Sequence, residues 1–190
     1  FPANSNPTFF NINADGVLLA DINDSTTAAQ YLLQYQNSKD FLSRYKAVEF
    51  ASKNNTDDNS LKILSAALKD PSFRIRIKAL EGIDLSKPNA QKMMAAEVEK
   101  MAQNDPKTLV QGAAIAALAK TKDRKYLPIF EKGLNAVSTS VKGNSLGAIS
   151  QIDPSRVPAL ADKIDLDGAS DELIAQLLPT IVKNKIEKQM

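Results

Sequence analysis

The chain has no cysteine, no histidine and no tryptophan among its 190 residues. Without cysteine there is no disulfide, no thiolate nucleophile and no Cys-ligated metal, and both the cytoplasm and an oxidising compartment stay open. Without histidine the usual zinc sites, the Ser-His-Asp relay and the commonest neutral-pH general base are excluded for this chain alone. No apolar run approaches the length that crosses a bilayer, so no membrane span is expected. Excess charge of one sign is missing too: 24 Lys and Arg face 22 Asp and Glu, and a net charge of +2 gives little general attraction to nucleic acid or an anionic membrane.

What is present fits a folded chain with one continuous core, since 43% of residues are apolar and there are few Gly and Pro. The opening Phe1-Pro2-Ala3-Asn4 has no initiator Met, charged n-region or apolar h-region, and reads as an excised piece. Residues 8–22 hold two short β-prone runs around Ala14-Asp15-Gly16, and Asp-Gly between apolar runs predicts a hairpin. A lone hairpin is marginal in water, so residues 1–24 are expected to be the end of an upstream β-domain or a linker hairpin.

From Ser25 onward the apolar period is that of helices. Leu61, Leu64 and Leu68 make one stripe, and Phe73, Ile77 and Leu80 a second. Met94, Val98 and Met101 make a third, and Leu127, Phe130 and Leu134 a fourth. Short polar breaks at 54–59, 85–89, 121–123 and 165–170 separate them, giving about ten helices in antiparallel hairpins.

The hairpins repeat. Asp70-Pro71 and Asp105-Pro106 each offer a side-chain oxygen for a helix N-cap and a Pro for the first helical position. Counting from each Asp, Ile75 matches Val110, Ala79 matches Ala114 and Ile83 matches Leu118. Arg76 in one copy corresponds to Gln111 in the next, and Arg44 (with Ala47) and Lys142 (with Ser145) take that place in flanking copies. The spacings are 32, 35 and 31 residues, in the range of stacked supersecondary units. The ankyrin signature needs a His that is missing, and the Trp and Tyr markers of tetratricopeptide units are missing as well.

Residues 67–80, ALKDPSFRIRIKAL, resemble the second-helix signature of HEAT-like repeats at Asp70, Pro71, Ile75, Arg76 and Ala79. The match weakens where Gln111 replaces Arg and Ala136 stands in place of Asp. Residues 11–50 resemble a second pattern, the junction between a small β-domain and a helical C-terminal domain in bacterial zinc metallopeptidases of the aminopeptidase N type. The matching features are Asn11 to Asp15, Val17-Leu18-Leu19, Gln34-Tyr35, Leu42, Arg44, Ala47 and Glu49.

Together the resemblances imply an all-α fold over 25–190, a right-handed α-solenoid of about five HEAT-like hairpins preceded by the short β-hairpin. They imply a non-catalytic domain that covers the active-site chamber of a zinc aminopeptidase and limits peptide access. Zinc would be bound upstream, by H-E-x-x-H and a further Glu that are not in this chain, which itself carries no cofactor. The implied partners are the catalytic and β-domains of the same polypeptide and the parent's peptide substrate, and the implied location is periplasmic or secreted. A self-standing HEAT-repeat scaffold that binds a protein along its concave face is the alternative.

Four features have a structural and a functional reading. Asp70, Arg76, Asp105, Gln111, Arg44 and Lys142 could line a concave binding surface, but repeat proteins use such positions to tie units together through turn Asp and carbonyl groups, and that reading is preferred. The acids at Asp165, Asp167, Asp171 and Glu172 suggest a calcium loop around Gly168, yet Lys163 and Ile174 fall where carboxylates are required, which predicts a turn with capping acids. Met93, Met94 and Met101 are read as core filler. The basic sets Lys69, Arg74, Arg76, Lys78 and Lys120, Lys122, Arg124, Lys125 could bind phosphate, but balancing acids and scarce free aromatics argue against a nucleic-acid partner.

Overall fold

The computed structural model describes residues 26–161. The predicted β-hairpin at 8–22, the boundary at 24/25, the acidic stretch at 165–172 and the tail at 183–189 lie outside the described residues. Within them the chain is all-helical: α1 (Ala28–Asn37), α2 (Phe41–Lys53), α3 (Asp58–Ala67), α4 (Phe73–Gly82), α5 (Pro88–Asn104), α6 (Thr108–Ala119), α7 (Leu127–Gly133), α8 (Thr139–Ile152) and α9 (Val157–Ala161). Single 3-10 turns, Arg124–Tyr126 and Pro154–Arg156, lead into α7 and α9. No described helix is long and apolar enough to cross a membrane.

Two compact units meet in sequence between Ile83 and Asp84. In the first, α1/α2 and α3/α4 are helical hairpins; α1 also packs on α3, and α2 on α4, so first helices form one layer and second helices another. The second unit repeats this plan with α5/α6 and α7/α8, where α5 touches α7, α6 lies along α8, and α9 returns onto α8.

Polar side chains cap the first three helices. Thr27 and Gln30 form a capping box on α1. Asp40 accepts the Ser43 N–H at 2.8 Å, and Asp57 accepts those of Asn59 and Ser60 at 2.9 and 3.0 Å. The predicted caps at the two Asp-Pro sequences are different. Helices α4 and α6 begin at Phe73 and Thr108, with Ser72 and Lys107 at the N-cap positions and no side-chain cap bond. Asp70 and Asp105 lie two residues earlier and accept the N–H of Ser72 (2.8 Å) and Lys107 (2.9 Å). Each is an Asx turn bridging the Pro, which has no N–H to give, so the carboxylate binds the first available amide beyond it.

The core follows one register through all four second helices. The third residues Ser43, Ile75, Val110 and Val141 are buried, as are the seventh, Ala47, Ala79, Ala114 and Ser145. The next positions, Val48, Leu80, Ile115 and Leu146, and those three further on, Ala51, Ile83, Leu118 and Ile149, are buried too. This spacing makes one continuous stripe along each helix, and burying each Ile or Leu in it contributes roughly 1.5–3 kcal/mol. Neighbouring second helices approach closely at two glycines. A Cβ on Gly82 of α4 would lie 2.7 Å from Ser52 Cα of α2, and one on Gly112 of α6 would lie 2.7 Å from Ser140 Oγ of α8.

One predicted stripe is displaced, and one residue read as core is not in it. In α4, Phe73 and Ile77 are only half-buried while Ile75, Ala79 and Leu80 face inward, because the face bearing Ala79 and Gly82 is the one that fits against α2. In α5, Met94, Val98 and Met101 are buried but Met93 is 44% exposed. Successive residues of a helix point about 100° apart, so Met93 cannot share the face of Met94.

Candidate functional site

The six singled-out polar residues occupy two equivalent places. Arg44, Arg76, Gln111 and Lys142 are each the fourth residue of a second helix, and Asp70 and Asp105 sit in the turns before α4 and α6. The fourth position lies beside the buried third residue and one turn before the buried seventh and eighth, so its side chain leaves at the edge of the core.

Arg76 and Gln111 make the same contact. Arg76 Nη1 donates to the Asp70 carbonyl at 2.8 Å and to that of Pro71 at 3.3 Å, while Gln111 Nε2 donates to the Asp105 carbonyl at 2.7 Å. Each ties the start of its helix to its own turn. The change from guanidinium to amide between copies keeps the bond, because a carbonyl acceptor asks for one N–H and no charge.

Arg44 reaches further. Its Nη1 donates to the carbonyls of Lys39 and Asp40, and its Nε donates to Asp70 Oδ2 at 2.9 Å. Nη2 reaches Asp70 Oδ1 at 3.5 Å, which completes a two-point contact. The Tyr35 hydroxyl of α1 donates to the same Oδ2 at 2.9 Å, and the Ser72 N–H fills Oδ1. The Asp70 side chain is 1% exposed and Arg44 is 16% exposed. Burial, then the hydrogen bond to Asp70, hold the Tyr35 phenol well above its ordinary range, so it stays a donor. Three elements, α1, α2 and the turn before α4, therefore converge on one carboxylate. Its oxygens are taken by protein donors and it is closed to solvent, so the arrangement ties structure together and offers no base to a substrate.

Lys142 differs. The turn before α8 has Ala136 in place of Asp, and among the described residues the Lys142 side chain makes no hydrogen bond or ion pair. A point-charge ammonium lacks the planar fork that Arg44 uses.

Another set of contacts escaped the sequence reading. Asp123 precedes the 3-10 turn into α7 and accepts the Lys125 N–H at 3.0 Å. Asp153 stands in the same place before α9; it accepts Ser155 Oγ at 2.6 Å and pairs with Arg124 at 2.7 Å. Arg156 in turn pairs with Glu131 at 2.6 Å. The readable signal was Asp123 with Leu127-Pro128 set against Asp153 with Val157-Pro158, the same pattern 30 residues on. The bond from Ser155, opposed by burial and helped by the Arg124 and Arg156 charges, holds the Asp153 carboxyl below its ordinary value. At Asp84 the Ser86 hydroxyl does the same.

Several basic residues have partners. Lys78 pairs with Glu81 at 3.6 Å and Lys125 with Asp123 at 3.5 Å, while Arg74 lies 5.8 Å from the centre of the Phe73 ring. Among the described residues no three carboxylates come together to hold a metal ion. No protein-family model matches the chain, and no curated protein matches it significantly.

Proposed function

We propose that the chain is a non-catalytic HEAT-like repeat domain, built as a right-handed α-solenoid of about five hairpins, and that it forms the C-terminal domain of a zinc-dependent aminopeptidase. There it covers the active-site chamber and limits which peptides reach the metal. The observation that supports the repeat reading best is the single burial register shared by α2, α4, α6 and α8, with the fourth residue turned back onto the turn in three of the four. A module of that kind presents surfaces and spends its polar residues on internal ties.

The likeness of residues 11–50 to the aminopeptidase junction supplies the parent enzyme, with residues 1–24 ending its β-domain and zinc held upstream. A periplasmic or secreted location goes with that parent. The ion pairs of Lys78, Arg124 and Lys125 with acids support leaving nucleic acid out of the partners. The alternative of a self-standing protein-binding scaffold draws on the exposed apolar Leu42 and Leu109 at the starts of α2 and α6.

The test is the coding sequence before Phe1. An H-E-x-x-H motif in frame upstream supports the aminopeptidase reading, and an open reading frame that begins near Phe1 overturns it in favour of the scaffold. The isolated chain, dialysed, is expected to hold no stoichiometric zinc and to leave aminoacyl fluorogenic substrates uncleaved.

A further inference from the structure

We draw no further inference here: the strongest candidate, the exposed apolar pair Leu109 and Val137 at the amino-terminal edge of α6 and α8, is an unpartnered surface patch, and nothing in the structure shows what covers it.

Discussion

The α2/α4 pair and the α6/α8 pair solve one packing problem with different chemistry. Both bury the same four positions, and both bring backbones close at a glycine, Gly82 against Ser52 in one and Gly112 against Ser140 in the other. In the first pair Arg44 of α2 also reaches into the turn before α4 and seats on Asp70 beside Tyr35. In the second, the corresponding turn holds Ala136, so Gln111 of α6 meets no carboxylate there and bonds to the Asp105 carbonyl, and the Lys142 side chain of α8 has no polar partner among the described residues. Apolar positions are held by geometry, since the stripe has to meet its neighbour in every copy. The polar position beside them is free to vary, provided that each buried carboxylate or carbonyl keeps its donors.

That comparison predicts a ranking. The largest effect belongs to Asp70→Ala, which strands the Arg44 guanidinium and the Tyr35 hydroxyl and removes the Asx turn. Breaking such a buried pair costs about 3–5 kcal/mol, and with Arg44 partly solvated the lower end, ~3 kcal/mol, is expected in urea unfolding. A loss below ~1 kcal/mol would mean that the carboxylate contributes no more than a surface ion pair.

Gly112→Ala tests the other pair. Its Cβ would meet Ser140 Oγ at 2.7 Å, Asn144 Nδ2 at 3.0 Å and the Ser140 carbonyl at 3.3 Å. Overpacking costs roughly 1–3 kcal/mol, and the better helix propensity of Ala returns about 1 kcal/mol, so a net loss of ~1 kcal/mol is expected. Adding Ser140→Ala should restore much of it. A thermal midpoint that rises with Gly112→Ala alone would show the two helices to be further apart than described.

Arg76→Ala removes two donors from turn carbonyls and should cost about 1–2 kcal/mol. Arg76→Gln recreates what Gln111 does and should cost less than half as much; equal losses would mean that the guanidinium charge matters and that the two copies are not equivalent. The smallest effect is that of Lys142→Ala, within about 0.5 kcal/mol of the unmodified chain. In a full-length aminopeptidase built on this domain, Arg76→Ala and Lys142→Ala should both leave peptide turnover nearly unchanged where the fold persists.

The repeat register was legible because it rests on spacing alone: the matched pairs Ile75 with Val110, Ala79 with Ala114 and Ile83 with Leu118 are all buried. Which face a stripe presents was less legible. Met93 and Met94 look alike in sequence, but only one can point at the core, and Phe73 gave way to the smaller face of α4 because close approach to α2 requires Ala79 and Gly82. The Asp-Pro turns were recognised as helix starts while their hydrogen bonding was displaced by two residues, since an Asx turn and an N-cap use the same residue types. Partners across helices were the least legible part. A tie through turn Asp and carbonyl groups was expected, and Arg76 does donate to the Asp70 carbonyl, but the spacing did not show that the Asp70 carboxylate takes Arg44, 26 residues earlier, and Tyr35, 35 residues earlier. Nothing local in the chain announces a contact that only hairpin stacking creates.

The most direct test of the structural role given to these polar residues is a double-mutant cycle on Arg44→Ala and Asp70→Ala, followed by urea unfolding of the whole chain. Residues that share a buried hydrogen-bonded pair couple by about 0.5–3 kcal/mol, and a coupling of ~2 kcal/mol is predicted, with each single change destabilising. A coupling near zero, with Arg44→Ala unfolding like the unmodified chain, would contradict it and leave the fourth position of the second helices available to a ligand.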